Sequence, residues 1–171
     1  MAPASPEPGI DQGMRYELAA LIARPPVLIR VQLAYPAARV VLLAQGLALT
    51  PLTSALTAAL AAGSGRVPPE TGFTKLSPGL HALLTSTSHV GPIGLFEADY
   101  IGNDGWQTAA VWRAGELSFG PNMLHRTEPF PDSGGGPFGG ALRTLGAQSE
   151  GRHDEFVAVG LGRIRRTEDW V

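Results

Sequence analysis

The sequence predicts an α+β fold, an antiparallel β-meander with helices packed on one side, on three observations. Ile93 to Ile101, Trp106 to Arg113 and Glu116 to Phe119 read as strands separated only by the turn residues Gly102, Asn103, Asp104 and Gly105 and by Ala114-Gly115, the pattern of consecutive hairpins. Thr50-Pro51 and Ser77-Pro78 each look like a helix N-cap followed by a proline at the first helical position. The chain has 171 residues, 44% of them hydrophobic and 16% charged, which supports one real core and excludes a disordered chain, a collagen repeat and a charged coiled coil.

In chain order, residues 1–13 carry Pro3, Pro6 and Pro8 without any apolar period and read as a disordered tail, leaving 14–171 as a single α+β domain. Tyr16 to Ala23 is a strand. Val27 to Tyr35 reads as a second, because Val27, Ile29, Val31 and Leu33 alternate with Leu28, Arg30 and Gln32; Arg39 to Ala44 is a third. Leu52 to Ala62 reads as a helix with Leu52, Leu56, Ala59 and Leu60 on one side and Gly63 as its stop, followed by a surface connection over Gly63 to Gly72. The helix opened by Ser77-Pro78 runs to about Ser88 and is closed by Gly91-Pro92. Past the meander, Pro129 to Gly140 is a Gly/Pro-rich loop and Ala141 to Leu145 a short helix stopped by Gly146. Asp154 is the N-cap of a last element bearing Phe156, Val157 and Leu161, shortened by Gly160 and Gly162.

Composition narrows the chemistry. With no cysteine, disulfides, thiol catalysis and thiolate metal sites are excluded. A net charge of -2 provides no electrostatic funnel for a phosphate backbone, so no nucleic-acid partner is expected. The uncharged run Val40 to Gly65 is broken by Gln45, Gly46, Thr50, Pro51, Thr53, Ser54 and Thr57, and reads as a buried strand and a helix rather than a membrane span. Met1 to Gly13 is Pro-rich and acidic, unlike a secretory signal, which places the protein in the cytoplasm with no membrane partner. No metal or cofactor is expected. His81, His89, His125 and His153 lack ligand spacing, and Ile101 occupies a ligand position in the only calcium-loop-like stretch, Asp99 to Asp104. A G-x-S-x-G elbow is absent, and Gly134-Gly135-Gly136 has no following lysine, the single lysine being Lys75.

The central hairpin gives the chain its most site-like surface. A four-residue turn at 102–105 pairs Ile101 with Trp106, placing Phe96, Ala98, Tyr100, Gln107, Ala109 and Val111 on a core face. The opposite face then carries Leu95, Glu97, Asp99, Trp106, Thr108, Ala110 and Trp112. Two carboxylates beside two indoles on an outward face suit recognition of a protein partner, since indoles supply interface area and carboxylates steer a basic surface. The run Gly162-Arg163-Ile164-Arg165-Arg166, followed by Thr167, Glu168, Asp169 and Trp170, is the densest charge cluster and fits ion pairing or a partner contact.

The segment Gly91 to Gln107, reading GPIGLFEADYIGNDGWQ, resembles the core of a family of small uncharacterised bacterial proteins with the pattern GPvaYvEAeYFGGvGxQ. Ala141-Leu142-Arg143, Leu145-Gly146, Asp154-Glu155-Phe156, Gly160 to Arg163, Arg165 and Thr167 to Trp170 are similar to the closing segment of the same proteins. Asn103 stands where the pattern has a second glycine and Val157 where it has an acid. The resemblance implies an immunity or accessory protein and brings no activity with it.

The expectation is therefore a non-catalytic cytoplasmic binding protein that recognises a protein partner through Glu97, Asp99, Trp106, Thr108 and Trp112, joined by Arg163, Arg165 and Arg166. The alternative is a small hydrolase using Glu97 and Asp99 as an acid/base pair with His153 or one of the terminal arginines nearby. Concavity separates them, because a catalytic pair needs a pocket around its substrate. The sequence leaves the oligomeric state open.

Overall fold

The computed structural model describes residues 15–61, 72–101, 104–125, 136–152 and 154–170. The expected tail over 1–13, most of the 63–72 connection, the hairpin tip at Gly102-Asn103, the glycine run at 134–135 and His153 lie outside the described residues. Among the described residues six strands form one antiparallel sheet: β1 (Arg15–Ala23), β2 (Val41–Leu42), β3 (Ala48–Pro51), β4 (Ile93–Ile101), β5 (Asp104–Arg113) and β6 (Glu116–Leu124), in the order β2-β3-β1-β4-β5-β6. The helices are α1 (Pro25–Ala34), α2 (Ser54–Leu60), α3 (Pro78–Thr87), α4 (Pro137–Thr144) and α5 (Glu155–Val159), with 3-10 turns at Leu161–Arg163 and Thr167–Asp169. The antiparallel α+β architecture is the expected one, but its helices cover both faces of the sheet rather than one. Residues of α1, α2 and α3 pack with Leu21, Leu95 and Trp112 on one side, while α4 and the C-terminal segment pack with Tyr16, Leu18, Phe96 and Val111 on the other. Both alternating faces of β1 and β4 are apolar over much of their length, so each needs its own cover.

The stretch expected as a second strand, Val27 to Tyr35, is instead α1. Pro25 and Pro26 stand at the start of the helix, where a missing N–H costs nothing, and Val27, Leu28 and Val31 form its buried stripe. A strand would have buried Ile29 and Leu33 beside Val27; they are 46% and 75% exposed. Within Arg39 to Ala44 only Val41–Leu42 pairs. Thr50-Pro51 is not a cap: both residues belong to β3, where Pro51 lies opposite Ala20, and α2 is capped by Thr53, whose hydroxyl accepts from the Leu56 N–H at 3.3 Å. The Ser77-Pro78 reading holds, with the Ser77 hydroxyl accepting from the Leu80 N–H. Asp154 likewise caps α5, which ends at Gly160 in the left-handed conformation. Residues 137–140, expected as loop, begin α4, again with proline in the first turn; a side chain at Gly140 would run into the Phe119 ring at 2.5 Å, so glycine lets the helix reach β6.

The β4–β5 register differs from expectation by two residues: Ile101 pairs with Asp104 and Asp99 with Trp106. An even shift preserves which residues share a face, so both face assignments survive the tighter turn. β6 runs beyond Phe119 to Leu124, with irregular pairing to β5 around Val111.

Candidate functional site

One face of the sheet changes character along its strands. Where α1, α2 and α3 lie over it, the face is Leu21, Ala23, Ile93, Leu95, Ala110 and Trp112, all buried. Further along the same strands β1 presents Arg15 and Glu17, β4 Glu97 and Asp99, and β5 Trp106 and Thr108. The register sets Glu17, Asp99 and Trp106 in one cross-strand row and Ala19, Glu97 and Thr108 in the next. Here the cover is incomplete. A turn at 73–75 lies on one side, the C-terminal segment on the other, and between them is a cleft of about 880 Å³.

Each floor carboxylate is already occupied. Glu97 is only 1% exposed; its Oε1 accepts the Thr74 N–H at 2.9 Å and the Thr74 hydroxyl at 2.6 Å, and its Oε2 the Lys75 N–H at 3.2 Å. Burial raises its pKa above the ordinary glutamate value, and the Thr74 and Lys75 donors pull it back. Asp99 takes a bidentate pair from Arg15, Nε to Oδ1 at 2.7 Å and Nη2 to Oδ2 at 2.5 Å; this hydrogen bond and charge raise the Arg15 pKa. Glu17 accepts the Thr167 hydroxyl at 2.7 Å and the Thr167 N–H at 3.2 Å.

The C-terminal segment reaches the site by extending the sheet. β3 pairs with β1 only from Ala20 onward; beyond its end, Arg165–Thr167 take its place beside β1. The Glu17 N–H donates to the Arg165 carbonyl at 2.8 Å and the Ala19 N–H to the Thr167 hydroxyl at 2.9 Å. Glu168 accepts from the Ser54 N–H and hydroxyl at the start of α2, holding the segment from outside. Arg165, Arg166 and Asp169 thereby line the cleft, with Lys75 from the facing turn. Among the described residues Lys75, Arg165, Arg166 and Asp169 take part in no ion pair.

Of the residues expected on a recognition surface, Glu97, Asp99, Trp106, Arg165 and Arg166 meet at the cleft. Three do not. Trp112 is 3% exposed beneath the α1–α3 layer with the His81 ring at its edge, because it falls under the helices rather than past them. Thr108 is fully buried beneath Gly72. Arg163 donates to the Leu42 carbonyl at 2.8 Å and stacks over the buried Trp170 ring, fastening the C-terminus. The outward acidic face is thus a concave site with its acids internally bonded, and Glu97 offers almost no surface to a partner. Arg15, Glu17 and Lys75 are site residues that the sequence reading does not place on a recognition surface, whereas Asp169 belongs to the C-terminal charge cluster it singles out. Alternation on β1 puts Arg15 and Glu17 on one face, but nothing local shows that β1 lies against β4.

Among the described residues no group of three His, Asp or Glu side chains converges in a way that would hold a metal ion, and no helix is long and apolar enough to cross a membrane. No protein-family model, curated protein or solved structure matches the chain.

Proposed function

We propose that this protein is a non-catalytic binding protein of the cytoplasm, of the immunity or accessory kind that its resemblance implies, and that it holds a segment of a partner protein in the cleft at the charged end of the sheet. The observation that carries this reading is the engagement of every floor carboxylate by donors of the protein itself, beside a half-buried Trp106 whose ring borders open space. A preorganised concave surface with one indole and a charged rim is suited to seating a protruding side chain or loop. A cleft of about 880 Å³ also falls within the range of small-ligand sites, roughly 300–1,000 Å³.

Concavity favours the hydrolase alternative, and the hydrogen bonding opposes it. A general acid or base must bring an oxygen within reach of the substrate's proton. Both Glu97 oxygens face the 74–75 backbone and both Asp99 oxygens face Arg15. The raised Glu97 pKa, which in an open pocket would mark an acid catalyst, here follows from burial of a side chain that anchors a turn.

Panning a random dodecapeptide display library against the folded chain tests the proposal. Sequences that bind the wild type and are lost with Trp106→Ala are expected. A library yielding no binder, or only binders indifferent to Trp106→Ala, overturns the cleft as a recognition site. Turnover of nitrophenyl glycosides or esters that disappears in both Glu97→Gln and Asp99→Asn would install the hydrolase instead.

A further inference from the structure

We infer that the segment received by the cleft is short and uncharged, lies across the strands rather than along them, and is anchored by one apolar side chain on Trp106. This rests on the cleft being the binding site and names the chemistry of its occupant. Trp106, Asp99 and Glu17 are successive neighbours on β5, β4 and β1, and Arg166 bridges to Glu17 from the C-terminal segment, so one row crosses four adjacent backbones. At roughly 4.8 Å per step the row is about 14 Å long, a distance that about four extended residues cover.

Charge around this row balances locally as well as in total, with four bases and four acids in the lining. Arg15 is paired with Asp99, Lys75 belongs to the turn that Glu97 holds, and Arg165 and Arg166 stand beside Glu17 with Asp169 on the same segment. A cation or an anion entering such a lining meets attraction and repulsion together, and it gives up its hydration for little net gain. An uncharged segment bears no such cost. The two ends of the row then take different parts of it. At Trp106 the neighbour across the strand is Asp99, already answered by Arg15, so an apolar side chain laid on the indole gains contact area beside a neutralised pair. At the other end the guanidinium groups of Arg165 and Arg166 are donors for main-chain carbonyls, which need no charge on the partner. The Arg165 carbonyl is itself held by the Glu17 N–H at 2.8 Å, so the backbone of that wall is fixed before binding.

Fluorescence anisotropy on the intact chain tests this with four labelled peptides that share one Gly/Ser frame and carry Phe, Ser, Glu or Lys at the centre. The Phe peptide is expected to bind about tenfold more tightly than the other three, and Trp106→Ala to remove that preference with unchanged circular dichroism. Raising salt from about 50 to about 500 mM is expected to change its affinity by less than about twofold. Arg166→Ala, at an exposed position, is expected to weaken the Phe peptide by about threefold, and Arg166→Glu by no more than that, because a donor is lost in both and the sign of the charge is immaterial. A Glu or Lys peptide that binds as tightly as the Phe peptide, an affinity that falls steeply with salt, or a far larger loss in Arg166→Glu than in Arg166→Ala overturns the inference. Should the Phe peptide fail while the display library returns charged sequences dependent on Trp106, the uncharged segment is refuted and the binding-protein reading stands; should both fail, the cleft itself is refuted.

Discussion

Leu95 and Trp112 are sealed beneath helices, while Asp99 and Trp106, on the same face of the same two strands, border a cleft. The strands alternate without interruption from one region to the other. What differs is the layer above. α1, α2 and α3 cover the Ile93 end, and past them, among the described residues, the 73–75 turn and the C-terminal segment border the sheet. The two regions teach that a strand's polarity pattern fixes which face a residue shares, while the neighbouring layer decides whether that face is core, wall or floor.

The two indoles give the sharpest contrast. Trp112→Ala is expected to cost about 3–5 kcal/mol, as a large core side chain does when removed, and to leave peptide binding intact at temperatures where the variant is folded. Trp106→Ala is expected to change stability by less than about 1 kcal/mol and to abolish binding. Urea denaturation beside anisotropy reads both. Equal destabilisation by the two would erase the distinction between the regions.

Glu97 sits at the boundary and tests how far the floor is structural. Glu97→Ala removes the acceptor for three donors and is expected to cost about 2–3 kcal/mol, less than three separate losses because Thr74 and Lys75 are exposed enough to meet water. The sign with pH follows from its raised pKa. A carboxyl that holds its proton more tightly folded than unfolded carries no penalty below the unfolded value and a growing penalty as pH rises through the folded one. The stability of wild type relative to Glu97→Gln, which does not titrate, is therefore expected to fall as pH rises from 4 towards 8. A gap that widens over that range would mean the donors outweigh burial.

Thr167 tests the seam by which the C-terminus joins β1. Thr167→Val keeps the shape but leaves the buried Ala19 N–H without its acceptor and Glu17 without the hydroxyl, an expected loss of about 1–2 kcal/mol. Binding of peptides selected on the wild-type cleft is expected to weaken with it, since Arg165 and Arg166 line the cleft from that seam. Unchanged binding would show that the arginines act without a fixed backbone.

What the sequence revealed of all this was local. The Ser77 and Asp154 caps, the paired strands β4 and β5 and their shared faces follow from residues a few positions apart. Over α1 the sequence is ambiguous, because Val27, Ile29, Val31 and Leu33 satisfy a period of two as well as they fill a helix, and Pro25-Pro26 at the first turn decides for the helix. The site was half legible. Glu97, Asp99 and Trp106 stood out as a row, but their partners Thr74 and Arg15 are 23 and 84 residues away, and the fate of each carboxylate is set by that long-range pairing. The same gap turned an outward acidic surface on paper into a concave cleft whose lining pairs four acids with four bases in space.

The smallest expected change in stability, and the one that probes that inversion most directly, is at the Arg15 and Asp99 pair. Asp99→Asn leaves a side chain of the same shape and one acceptor oxygen while removing the charge. Arg15 is 61% exposed at its side chain, so water and salt already screen the pair, and little loss of stability is expected, vanishing at high ionic strength. Binding should respond as little. Both Asp99 oxygens already face Arg15 rather than the open cleft, so peptides selected on the wild type are expected to keep their affinity for Asp99→Asn within about twofold. If Asp99→Asn abolishes their binding while Trp106 is intact, the acid is itself a recognition group and the account of the floor carboxylates as internally satisfied is wrong.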